Sequence, residues 1–141
     1  ALDVSIQAQI IELMTALKEE LNTAILLITH DLGVVAEITR RVAVMYTGRI
    51  MEEAPTLDLF DAPLHPYTRG LLTSIPRADA SFETGSLTEI KGIVPSVAAL
   101  PPGCHFEPRC PEAIDICRTQ APVLEEAQPG HRVACWRATH A

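Results

Sequence analysis

The sequence predicts an α/β fold that ends in a small four-cysteine module, and three observations carry that prediction. A helix-spaced apolar stripe (Ile6, Ile10, Leu13, Met14, Leu17, Leu21) leads into an unbroken apolar run and then into two strand-like runs. All 11 prolines lie at Pro55 or later, so only the first part is free of a residue that fixes φ and removes a backbone donor. All 4 cysteines lie at Cys104 or later, in a stretch too short to build a large apolar core.

The elements follow in order. Asp3 stands where an N-cap belongs, ahead of the striped helix. Ala24 to Thr29 lacks alternation, which suits a strand buried on both faces, as in a parallel sheet. Asp31 caps a short helix reaching about Ile38. Arg41 to Tyr46 and Arg49 to Glu53 read as two strands joined by Thr47-Gly48, a tight-turn pair. Thr56 caps a helix through Phe60 that Pro63 ends, and Pro66 opens another over Tyr67 to Ser74. Pro76 to Pro95 reads as a connector with one strand near Leu87 to Ile93. Beyond Pro101 the chain reads as irregular.

Composition narrows the function classes. Hydrophobic residues at 48% and charged residues at 21% describe an ordinary globular protein. A net charge of -7 gives no electrostatic case for nucleic-acid binding. The run Ala24 to Ile28 is far too short to span a bilayer, and no charged segment introduces an apolar one at the start as in a signal peptide. The chain opens Ala1-Leu2-Asp3 without Met, so a piece of a longer protein is expected.

His30 follows the apolar run, at the carboxyl edge of an expected central strand, where open α/β sheets bind ligands. An imidazole there either donates to a phosphate oxygen or orients a water, or simply caps the strand end. Asp3 and Asp31 read first as helix caps. The phosphate-loop pattern G-x-x-x-x-G-K-[ST] does not occur in the chain.

With those residues in place, the order of motifs resembles one family. Ala1-Leu2-Asp3 through Ile10 resembles the D-loop and following helix of ATP-binding cassette ATPases. Leu26 to Ala36, with Thr29-His30-Asp31, resembles their switch-histidine segment, and Val42 to Ile50 the hairpin that follows. His65-Pro66-Tyr67-Thr68-Arg69-Gly70-Leu71-Leu72 and Pro102 to Trp136 are similar to the C-terminal extension of the oligopeptide/dipeptide importer branch. The resemblance implies the C-terminal part of a P-loop ATPase core over residues 1–54, a helical segment and connector over 55–100, and a four-cysteine extension over 101–141. It implies ATP with Mg2+ as cofactor and His30 as the histidine that meets the γ-phosphate. Asp3 is then the D-loop aspartate at the opposing ATPase subunit. Partners implied are a second ATPase subunit, two permease subunits and, indirectly, a peptide-binding protein, with the subunit peripheral on the cytoplasmic face of the membrane. The phosphate loop, signature loop and catalytic carboxylates are expected upstream, so these residues alone are expected to be inactive. The alternative is a metal-stapled module that docks the ATPase to its partners without a catalytic role.

Cys104, Cys110, Cys117 and Cys135 are spaced C-x5-C-x6-C-x17-C. Three readings stand from the residues: a [4Fe-4S] cluster on four thiolates, structural zinc with His105 or His131 replacing a thiolate, or disulfides or free thiols. No C-x-x-C pair strengthens either metal reading. The resemblance favours the cluster. Arg109, Arg118, Arg132 and Arg137 lie among the cysteines, either offsetting cluster charge or forming a solvated surface.

Overall fold

A computed structural model describes residues 4–74 and 89–139. The chain divides into two compact units, one up to Thr39 and the other from Arg40.

The first unit holds two helices. α1 runs Val4–Glu20, as its stripe predicts. Asp3, its expected cap, lies outside the described residues. The helix ends where Asn22 takes φ 47°, the Asn22 N–H donates to the Glu19 carbonyl and the Thr23 N–H to the Lys18 carbonyl. That paired closure satisfies two carbonyls the helix would otherwise leave open. The stripe is not fully covered: Leu13 is 60% exposed and Leu21 66%. The run Ala24 to Ile28 departs from expectation. It forms no strand and leaves Leu26 and Ile28 about nine-tenths exposed. A strand exists only through its ladder, and no described segment pairs with this one. α2 (Leu32–Ile38) starts as predicted, with Asp31 Oδ1 accepting the N–H groups of Gly33 (3.0 Å) and Val34 (3.2 Å).

The second unit is built on one antiparallel sheet in the order β1-β2-β4-β3. β1 (Arg41–Tyr46) and β2 (Arg49–Pro55) form the predicted hairpin. Its turn places Thr47 at φ 44° and Gly48 at φ 79°, the left-handed pair that matches strand twist. β3 (Glu125–Gln128) and β4 (His131–Val133) lie in the segment expected to be irregular, and β4 pairs with β2 through Glu52↔Val133 and Glu53↔Arg132. The parallel sheet expected of the α/β fold is therefore not present among the described residues. The architecture is a small α/β unit with an antiparallel sheet.

Helices close the second unit. α3 (Thr56–Asp61) is capped at Pro55, with Thr56 as its first helical residue rather than its cap. α4 (Pro66–Thr73) opens on Pro66 as predicted. A 3-10 turn (Glu107–Arg109), α5 (Asp115–Thr119) and α6 (Trp136–Thr139) complete the cysteine segment. Of the strand expected near Leu87 to Ile93, residues 89–93 are not in a strand and the rest lie outside the described residues.

Two apolar clusters hold this unit. Val44, Ala54 and Leu59 pack α3 onto the hairpin. Tyr46, Met51, Cys104, Phe106 and Cys117 join the hairpin to the cysteine segment, with Tyr67 and Trp136 against them. Phe106 is the centre of the second, with ring centroids 5.4 Å from Tyr46 and 5.3 Å from Tyr67.

Candidate functional site

The four cysteines, spread over 32 positions of sequence between Cys104 and Cys135, line one small pocket together with His65, Phe106, Glu112, Trp136 and Arg137. All four are free thiols; Cys104, Cys117 and Cys135 are buried and Cys110 half-buried. Local backbone geometry brings them there. The Cys104 N–H donates to the Cys117 carbonyl at 2.8 Å, which joins two of the loops. Gly103 makes that approach possible, because a Cβ there would stand 2.2 Å from the same carbonyl oxygen. The Ala134 N–H donates to the Met51 carbonyl at 2.8 Å, which seats Cys135 beside β2.

The pocket treats its sulfurs in two opposing ways. Burial pushes the thiols of Cys104 and Cys135 up and that of Cys110 up to about 11. Backbone N–H groups pull the other way: Phe106 and Glu107 toward Cys104, Glu112 toward Cys110, Arg137 and Ala138 toward Cys135. Donors aimed at buried sulfurs favour the thiolate, the form that binds metals. Among the described residues, however, no three Cys, His, Asp or Glu side chains are gathered to hold one metal ion. A tetrahedral zinc site requires its sulfurs at about 2.3 Å from a single point. Neither of the histidines considered as zinc ligands faces the pocket. His105 Nδ1 is 2.8 Å from Thr47 Oγ1, and His131 Nε2 is 2.7 Å from Glu52 Oε1.

Three of the four arginines noted in the sequence are engaged away from the thiols. Arg109 donates to the Ile90 carbonyl (2.7 Å) and the Lys91 carbonyl (3.1 Å), Arg118 pairs with Glu107, and Arg132 reaches Glu53. Arg137 lines the pocket. Trp136 packs on the aromatic cluster and its indole N–H donates to the Gln120 carbonyl at 3.0 Å.

Sequence reasoning missed the polar hub beside this pocket. Glu52 is fully buried in β2 and takes three donors: the Leu64 N–H at 2.6 Å, the His65 N–H at 3.1 Å and His131 Nε2. His65, 1% exposed, caps α4 by accepting the Tyr67 N–H at 3.0 Å. Burial holds His65 down at about 4, so the ring is neutral. A histidine directly before Pro66 at a helix start was the one available signal for its role; a glutamate inside a strand offers none.

His30 lies in the first unit and is exposed. Thr29 Oγ1 accepts the Asp31 N–H at 3.0 Å, and Asp31 caps α2, so His30 sits in a fixed local bend between them. A second, larger groove of about 420 Å³ lies in the second unit, lined mostly by apolar groups with Arg49 and His105 at its wall. No described helix is long and apolar enough to cross a membrane.

Residues 51–117 match the family described as Oligopeptide/dipeptide transporter, C-terminal region. The chain is 57% identical over 136 residues to the oligopeptide transport ATP-binding protein AppD of Bacillus subtilis, covering 96% of this chain and 41% of that protein. It is 53% identical over 137 residues to the oligopeptide transport ATP-binding protein OppD of Escherichia coli, covering 97% and 40%. The OppD of Salmonella typhimurium is 51% identical over 137 residues, again 97% and 40%. The chain thus spans about two-fifths of the length of these relatives.

Proposed function

We propose that this chain, by sequence a C-terminal portion of an oligopeptide/dipeptide transporter ATP-binding subunit, belongs to a protein that hydrolyses ATP to energise peptide import. The carrying observation is identity above half with such ATP-binding proteins over nearly every residue of the chain. In this reading residues 1–54 complete the ATPase domain, 55–100 are a helical segment and connector, and 101–141 are the extension. His30 donates to the γ-phosphate and helps hold the attacking water, and Asp3 reaches across to a second ATPase subunit. ATP with Mg2+ is held chiefly by residues outside these 141. Phosphoryl transfer rests on positioning and charge stabilisation, so one placed imidazole carries a large share of the rate. The subunit works on the cytoplasmic face of the membrane against two permease subunits, which receive peptide from a binding protein. In the full-length subunit assembled with its permease, His30→Ala is expected to lower ATP turnover by about 10²-fold or more. Unchanged turnover would remove His30 from the mechanism.

The four-thiol pocket is read as the site of a [4Fe-4S] cluster; a single zinc ion finds no set of converging ligands among the described residues. Two features support the cluster: four free thiols on one pocket, and backbone N–H donors at three of them. Thiolates around a multi-atom core need not converge on one point, as they must around a single ion. Cys104, Cys110, Cys117 and Cys135 would hold the group, which would tie three loops of a segment with little core of its own. Anaerobically prepared subunit should contain iron and absorb in the thiolate-to-iron region; colourless, iron-free protein would end this assignment.

A further inference from the structure

The groove of about 420 Å³ lies outside the four-thiol pocket, with which it shares only Cys104 and Pro122. It begins where the sheet stops. β4 pairs with β2 at Glu53 and Glu52, and the Ala134 N–H donates to the Met51 carbonyl at 2.8 Å. The chain then turns into α6, so Arg49 and Ile50 have no strand beside them on that side among the described residues. Arg49, Ile50, Met51 and Ala134 all line the groove, which therefore continues the sheet past the end of β4. An open strand edge of this kind is a template for another chain.

The groove is also one-sided in its chemistry. Ile50, Pro122, Val123 and Leu124 make it apolar, and Val123 is 66% exposed. No Asp or Glu lines it. Arg49 is exposed and has no carboxylate partner among the described residues, whereas Arg41, Arg69, Arg118 and Arg132 each have one. His105, the other basic residue of the lining, is buried with Nδ1 2.8 Å from Thr47 Oγ1. An unpaired guanidinium suits a carboxylate, an open β2 edge suits an extended backbone, and an apolar lining suits the side chains on one face of that backbone.

We infer that this groove docks an extended, acidic and apolar segment of a partner protein, which adds to the free edge of β2 and sets a carboxylate against Arg49. The inference goes beyond the ATPase reading and does not rest on it. A free anionic small molecule would use the guanidinium and the apolar lining but not the strand edge.

The test uses the full-length subunit and two fluorescent peptides, acetylated and amidated at their ends, Leu-Glu-Val-Glu-Leu-Val and Leu-Lys-Val-Lys-Leu-Val. Fluorescence anisotropy should show saturable binding, with the acidic peptide about ten-fold tighter than the lysine peptide. That preference would run against the net charge of -7, so it has to come from the groove. Arg49→Glu should abolish or invert it. Val123→Asp, which adds a carboxylate to the groove, should weaken the acidic peptide by a similar factor and serves as the second variant. Methylating one alternate set of backbone nitrogens in the acidic peptide should weaken binding more than methylating the other set, because only one set faces β2 in a strand. Equal affinity for the two peptides, a preference that survives Arg49→Glu, or indifference to both methylations would each overturn the inference. So would binding that requires a free C-terminus, the behaviour of a free short peptide rather than of a segment within a longer chain. Failure on any of these counts would leave the ATPase reading intact.

Discussion

His65 is a titrating group that the fold keeps neutral. Desolvation lowers it from 6.5 to about 4; the Arg69 charge lowers it too, against Glu52, Glu112 and the Ala134 carbonyl, which raise it. A histidine with a depressed folded value binds fewer protons folded than unfolded between those two pH values. Its contribution is therefore complete above pH 6.5 and is lost as pH falls toward 4. In the metal-free chain, urea unfolding should show a loss of roughly 2 kcal/mol between pH 7 and pH 5 that is absent from His65→Gln. A wild-type and variant difference that stays flat with pH would contradict it. At this scale the sequence was partly legible. Asp31 before an apolar stretch and Thr47-Gly48 between two strand-like runs announce a cap and a turn because those residues satisfy local backbone needs. Glu52 was not legible, because its three donors come from positions 64, 65 and 131, which only the tertiary fold assembles.

At the scale of elements, hairpin and helices were legible and two strands were not. β1 runs apolar from Val42, Thr47-Gly48 supplies the turn into β2, and α4 opens on proline, so local chemistry and final structure agree. β3 and β4 are four and three residues long and carry Glu125, Glu126, His131 and Arg132, so no strand period shows. They are strands because β2 offers an edge to pair with. The apolar run at Ala24 to Ile28 errs the other way: composition suits a buried strand, and no described partner strand exists to make it one. The loops of the cysteine segment depend on a contact that sequence hints at only by a glycine ahead of Cys104. Gly103→Ala would set a methyl against the Cys117 carbonyl and the Arg118 backbone, where no side-chain movement relieves the clash. A loss of about 2–3 kcal/mol in chemical denaturation is expected, from overpacking together with a weakened Cys104 to Cys117 bond. A variant as stable as wild type would show that this approach is looser than described.

On the scale of the whole molecule, composition separates the chain near Pro55, whereas the fold separates it at Thr39/Arg40. The hairpin shares a sheet, an aromatic cluster and the Glu52 hub with the cysteine segment. Even its turn is tied there, through Thr47 Oγ1 and His105. Residues on either side of the long connector therefore make one body, and the four-thiol pocket is a product of that body rather than of the cysteine loops alone. Chain composition reflects local constraint, while the sheet reflects pairings between positions some 80 apart, such as Glu52 with Val133. Amide hydrogen exchange on the full-length subunit tests this most directly. Amides of Glu52 to Ala54 and of Arg132 to Ala134 should be protected together, by about 10³-fold over free peptide, and should open as one cooperative unit. Exchange of residues 125–134 at free-peptide rates beside a protected hairpin would contradict it.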